Sequence, residues 1–135
     1  MSERSSSALV SVVIPVHDAA EYISDTLSSI LSQSLQDIEV IIIDDNSADD
    51  TLKLLQSFAA NDSRIRLLNN SQNIGAGASR NMGLKIASGE YIIFLDDDDY
   101  PNANMLKRMY DHAALLQADV VICRCQSLDL QTHSY

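Results

Sequence analysis

Five short apolar runs, "SVVIPV" (Ser11–Val16), "IEVIIIDD" (Ile38–Asp45), "RIRLLN" (Arg64–Asn69), "EYIIFLDD" (Glu90–Asp97) and "ADVVICRC" (Ala118–Cys125), alternate along the chain with four amphipathic stretches. This alternation constrains the fold more than any other feature. The runs are rich in β-branched residues and too short for helices. Their apolar character is continuous rather than alternating, as in strands covered on both faces of a parallel sheet. Between them, Ile23, Leu27, Ile30 and Leu31 share one face of a first helix, with Asp18 as its expected cap. Leu52, Leu55, Phe58 and Ala59 do the same in a second, which "SADD" (Ser47–Asp50) should open as a capping box. Ala78, Met82 and Ile86 mark a third, ended by Gly89, and Met105, Leu106, Met109 and Ala113 a fourth. The order βαβαβαβαβ predicts an α/β fold: a doubly wound, mainly parallel, Rossmann-like sheet with helices on both faces. No internal repeat, low-complexity block or linker interrupts it. The expected organisation is a disordered Ser-rich leader over residues 1–9 and one α/β domain over residues 10–135.

Composition narrows the function. A chain of 135 residues with 46% hydrophobic and 21% charged residues can bury a core of ordinary size. A formal net charge of -10 argues against nucleic acid as a partner, because phosphate backbones are held by Lys and Arg. The first ten residues lack the apolar stretch and cleavage site of a secretory signal, and no run approaches the ~20 apolar residues of a membrane span. Cys123 and Cys125 are the only cysteines. One residue apart, they suit neither an unstrained bridge nor a zinc site, and are expected to be buried thiols in a reducing cytosol.

In open parallel sheets ligands bind beyond the carboxyl ends of the strands, where the strand order reverses. The chemically unusual residues fall there: "PVHD" closes the first strand and "DDNS" the second, "NSQNIGAGASRN" follows the third, and "DDDD" closes the fourth. Asp96 and Asp98 form an Asp-x-Asp pair whose carboxylates project to one side of a strand end. Hard oxygen ligands of this kind suit Mg²⁺ or Mn²⁺ held together with phosphates, and a cation would relieve their mutual repulsion. The alternative is a solvated acidic turn at the start of the next helix, a role that fits Asp97 and Asp99 as well. Asp45 could accept hydrogen bonds from a base or ribose, while Asn46 or Ser47 caps the following helix. Gly75 and Gly77 precede a helix that carries Arg80 in its first turn, and backbone amides with a guanidinium make an anion site suited to a diphosphate. Arg80 could instead be a surface residue bridging to an aspartate. His17, just after Pro15 and Val16, is by residue type alone more often structural than catalytic. The spacing is not that of a dinucleotide fingerprint. Nor is it an EF-hand, since Pro101 stands at the glycine position and Lys107 at the final glutamate. A receiver would need its acidic pair after the first strand, and a haloacid-type phosphatase would need Thr or Val where Tyr100 stands.

Taken in order, "VSVVIPVHDAAEYISDTLSSILSQSLQDIEVIIIDDNSADDT" and "NIGAGASRNMGLKIASGEYIIFLDDDD" resemble the N-terminal half of the inverting family 2 glycosyltransferases with the GT-A fold, from about Val10 to about Cys125. The resemblance implies a nucleotide-diphospho-sugar donor, with UDP as the expected nucleotide, and inverting transfer to a hydroxyl of a glycan or lipid-linked acceptor. It implies that Pro15, Val16, His17 and Asp45 flank the base, that Arg80 lies near base and diphosphate, and that Asp96 and Asp98 hold ribose and metal, with Asp98 the direct ligand of Mg²⁺ or Mn²⁺. It further implies polysaccharide biosynthesis in the cytoplasm, with peripheral association at the inner face of the membrane. Two departures stand out. Pro101 comes two residues before the position, near Ala103, where the family usually has proline. The family's catalytic carboxylate, on a later segment, has no counterpart before Tyr135, so the chain is expected to be the donor-binding part and inactive in transfer by itself. The alternative is a truncated nucleotide-binding module without turnover.

Overall fold

The computed structural model describes residues 8–127. Four strands and four helices alternate: β1 (Val10–Val16), α1 (Ile23–Leu31), β2 (Ile38–Asp44), α2 (Thr51–Asn61), β3 (Ile65–Asn69), α3 (Ala76–Ile86), β4 (Tyr91–Phe94) and α4 (Met105–Leu116). The strands form one sheet in the order β3-β2-β1-β4, and every neighbouring pair is parallel. The chain steps outward from β1 to β2 to β3, then returns across the sheet to the far side of β1. This reversal of direction puts α3 on the face opposite α1 and α2, as right-handed crossovers require.

Two cores record the result. Val12, Ile14, Val40 and Ile42 pack with Ile23, Leu27 and Ile30 of α1, Leu55 of α2 and Leu106 of α4. On the other face Val13, Ile41 and Ile43 pack with Met82 and Ile86 of α3. Successive side chains of a strand point to opposite faces, so continuously apolar runs are what a sheet covered on both sides demands. Besides Met82 and Ile86, which are partly buried, Ser79 and Gly83 of α3 are buried, whereas Ala78 is exposed. Gly83 permits the close approach: a Cβ there would lie 2.4 Å from Val13 Cγ1 and 3.0 Å from Ile43 Cδ1. Carbon atoms prefer about 3.5–4.0 Å, and Val13 is β-branched and fully buried. Gly83→Ala is therefore expected to lower stability. Overpacking of about 1–3 kcal/mol outweighs the ~1 kcal/mol that alanine adds to helix propensity, which urea unfolding of the two proteins would measure.

Three expectations require correction. Residues 118–125 form no strand among the described residues, and Cys123 and Cys125 are exposed rather than buried. Strand preference expresses fit to a pleated surface with a partner. This segment is held by Tyr91 Oη donating to the Ala118 carbonyl and by the Ala118 N–H donating to Ala113, and Val120 and Ile122 remain exposed. The expected helix caps also differ. The residue before α1 is Tyr22, with no side-chain cap, and Asp18 instead accepts the N–H groups of Ala48 and Asp49. At α2, Asp49 accepts the Thr51 N–H, and Ser47 donates its hydroxyl to Asp44 rather than capping. Asp18 and Ser47 instead tie the loops after β1 and β2 together, because two strand ends meet there: Ser47 Oγ also accepts the Asp18 N–H. Finally, Ala8 and Leu9, placed in the leader by the sequence, are hydrogen-bonded to the sheet: Glu90 and Tyr91 donate to their carbonyls and Leu9 donates to Asp37. The rest of the leader lies outside the described residues.

Candidate active site

The reversal of strand order falls between β1 and β4, and a pocket of about 360 Å³ opens there at the carboxyl ends of β1, β2 and β4. Pro15, Val16, His17 and Asp45 form one part of its lining, and Arg80, Asp96 and Asp98 another. The seven residues expected from sequence to hold nucleotide or metal thus converge on one concavity, whereas Gly75, Gly77 and Asp99 are not part of its lining. Ala76 and Asp97 complete it.

Asp45, directly after β2, is 3% exposed. Its Oδ1 accepts from the Asn70 amide (2.8 Å) and the Ile74 N–H (2.9 Å), and its Oδ2 from the Gly75 N–H (2.8 Å). Burial pushes this carboxyl up, but the bonds from Ile74, Asn70 and Gly75, with His17 nearby, hold it on balance below the usual carboxylate range. Asp45 is therefore the anchor of the loop between β3 and α3. Gly75, at φ 90°, lets the chain turn into α3. Asn70 also donates to Oγ of buried Ser79 (3.3 Å), which ties the ends of β2 and β3 to α3, one residue from Arg80. The sequence offered no sign of Asn70 or Ser79, because a buried amide and hydroxyl follow no periodicity.

His17 lies between the same elements. Its Nδ1 is 2.9 Å from the Asp45 carbonyl and its Nε2 3.3 Å from Asp18 Oδ2. Its backbone N–H donates to Asp97 Oδ2 (3.2 Å), and the Asp97 carbonyl accepts from Thr26 Oγ1 (2.8 Å). Asp97, a candidate helix cap by sequence, in fact clasps the end of β1. Burial, and then the charges of Asp98 and Asp96, push its carboxyl above the usual range, against the bond from His17. Asp99 shapes the acidic turn: its carboxylate accepts the Asp96 N–H and its own N–H donates to the Asp96 carbonyl. Neither caps α4, which begins after Asn104.

Beyond the turn, the loop to α4 rests on Gln33, a fully buried amide that sequence reasoning also missed. Its Nε2 donates to the carbonyls of Pro101 and Asn102, and its Oε1 accepts from the Leu106 N–H. The displaced proline is thus accommodated by a loop pinned to the end of α1. Across the pocket, Arg80 Nη2 meets Asp96 Oδ1 at 2.6 Å, with side chains 35% and 58% exposed.

Among the described residues no three His, Cys, Asp or Glu side chains are grouped to hold a cation. The donor set nevertheless fits Mg²⁺ or Mn²⁺, which is commonly bound through one or two carboxylates with water and substrate phosphates rather than an all-protein cage. No described helix is long and apolar enough to cross a membrane.

The model of the family described as "Glycosyl transferase family 2" matches residues 11–135. The chain belongs to that family. A relative, glycosyltransferase GlyG of Streptococcus pneumoniae serotype 4, is 38% identical over 116 residues, covering 86% of this chain and 38% of GlyG. The Escherichia coli UDP-Glc:alpha-D-GlcNAc-diphosphoundecaprenol beta-1,3-glucosyltransferase WfaP is 46% identical over 92 residues, covering 68% of this chain and 36% of WfaP. The crystal structure of S. aureus TarS 1-349 in complex with UDP-GlcNAc superposes with a TM-score of 0.70 at 33% identity, covering 80% of this chain and 31% of that one. The chain spans a little over one-third of the length of these curated relatives. Its parallel sheet with helices on both faces is the α/β arrangement of GT-A glycosyltransferases.

Proposed function

We propose that this family 2 chain binds a nucleotide-diphospho-sugar, a UDP-sugar first, in the pocket at the β1/β4 reversal, for inverting transfer to a hydroxyl of a glycan or lipid-linked acceptor. The observation that carries the reading is the opposition of Arg80 to the run Asp96–Asp98 across a pocket at the switch point of a parallel sheet. A cation alone needs no guanidinium and a diphosphate alone needs no carboxylates; a diphosphate carrying a cation needs both. The UDP-GlcNAc complex of TarS and the UDP-Glc named for WfaP support UDP as the nucleotide, and the diphosphoundecaprenol named for WfaP supports a lipid-linked acceptor.

In this reading Pro15, Val16 and His17 form the wall beside the base. Asp45 holds the 73–75 loop in place, and with three bonds on about four acceptor positions it keeps one for base or ribose. Asp96 takes the ribose and shares the cation with Asp98, and Arg80 takes the diphosphate. A divalent ion bound by these carboxylates supplies Lewis-acid neutralisation of charge growing on the leaving nucleoside diphosphate. Attack of an acceptor hydroxyl on the anomeric carbon, from the face opposite the departing nucleoside diphosphate, would invert that centre. The hydroxyl proton passes to a base that none of these donor-holding residues supplies, which the family resemblance places on a later, acceptor-side segment.

The test is calorimetry with UDP, GDP and CDP, each with Mn²⁺, with Mg²⁺ and with chelator. UDP binding that requires a divalent ion is expected. Equal affinity in chelator would remove the metal from the assignment, and absence of binding by all three nucleotides would remove the nucleotide.

A further inference from the structure

The Arg80–Asp96 pair is built at both ends. Asp96 is fixed by its turn with Asp99, which bonds it through both backbone groups. Arg80 follows Ser79, whose buried hydroxyl is held by Asn70. The pair therefore sits on two braced positions, in the space that the preceding reading gives to cation and diphosphate. Asp45 and Asp97 are engaged elsewhere, by the 70–75 loop and by the His17 N–H.

We propose that Arg80 makes the site selective for a cation–diphosphate complex over the free cation. Without a diphosphate, the guanidinium occupies Asp96 Oδ1 and places a positive charge where the ion would bind. A diphosphate offers Arg80 a more highly charged partner whose oxygens the planar guanidinium can bond in bidentate fashion, draws it from Asp96, and releases that carboxylate to the ion. An exposed pair of this kind is only weakly held against solvent, so the exchange is easy. The inference rests on the nucleotide-sugar reading, and linkage makes the effect reciprocal: UDP tightens Mn²⁺ by the same factor as Mn²⁺ tightens UDP, typically about 5–150-fold for coupled sites.

The experiment is a Mn²⁺ titration of the full chain, followed by electron paramagnetic resonance of the free ion, with and without saturating UDP. Wild type, Arg80→Ala, Asp96→Asn and the double variant form a cycle, and Lys85→Ala removes the same charge from the far end of α3. Arg80→Ala is expected to bind free Mn²⁺ at least about threefold more tightly, a difference of roughly half a decade, and to lose most of the tightening by UDP. In the Asp96→Asn background the same change should have little effect, and Lys85→Ala should match wild type. No gain from Arg80→Ala, including no Mn²⁺ binding by either protein, overturns the proposal, as does an equal gain with Asp96 absent. Loss of UDP binding by wild type would instead overturn the nucleotide reading, while the arm without UDP still decides the role of the pair.

Discussion

Asp45→Ala is expected to unfold roughly 6–20 °C below the parent. The substitution leaves three donors of the 70–75 loop without their acceptor, the Asn70 amide and the N–H groups of Ile74 and Gly75. A buried donor left unpaired costs about 1–3 kcal/mol. Water can reach Ile74, which is 39% exposed, so a net loss of about 2–4 kcal/mol is expected rather than the full sum. For a domain of this size each kcal/mol moves the midpoint by about 3–5 °C. The pH dependence identifies the cause. Because the folded carboxyl is held below its ordinary value of ~3.9, the stabilisation is fully present above pH ~4 and is lost as the pH falls through the folded value. The gap between parent and variant should therefore be wide at pH 7 and smaller at pH 3, below the ordinary carboxylate value. An equal gap at both would show that the bonds to the ionised carboxylate are not what holds the loop. Thermal unfolding followed by circular dichroism measures both.

Asp98→Asn is expected to abolish most of the metal dependence of UDP binding while leaving the fold intact. Asp98 lines the pocket and is exposed, and among the described residues no group is built on its carboxylate in the way the loop is built on Asp45. Loss of an outer-shell partner alone usually weakens a metal site about 10–100-fold, and removal of a direct ligand should cost at least as much. UDP affinity in Mn²⁺ should fall to the level seen in chelator. Asp25→Asn, which removes the same charge from the exposed first turn of α1, should retain parental affinity. A retained Mn²⁺ effect in Asp98→Asn would move the cation to other carboxylates of the pocket.

Much of this was legible before any coordinates. The four strands and four helices followed from continuous apolar runs of β-branched residues alternating with 3.6-residue periodicity, the trace left by burial on both faces of a sheet. The run over residues 118–125 has the same trace and forms no strand. The convergence of Pro15, Val16, His17, Asp45, Arg80, Asp96 and Asp98 followed from topology: in a parallel sheet every strand ends on the same rim, so unusual residues at successive strand ends must meet. Most failures came where a residue's partner lies far away in sequence. Asp18 and Ser47 carry the chemistry of helix caps, but Asp18 accepts the Ala48 N–H and Ser47 Oγ accepts the Asp18 N–H, each about thirty positions away. Asp97 looked interchangeable with Asp99, yet one reaches His17, just after β1, and the other closes its own turn.

The sequence by itself determined the class of fold, the rim on which the candidate site residues gather and the residue types found there, since these depend on periodicity and on which residue types sit at strand ends. Only the tertiary structure decided which carboxylates are occupied. Asp45 is committed to a loop about thirty positions away, Asp97 to the end of β1 and Asp96 to Arg80. Hydrogen-bond partners are chosen by distance in space, at roughly 3 Å, and a linear pattern holds no record of that distance between elements that meet only when the sheet forms.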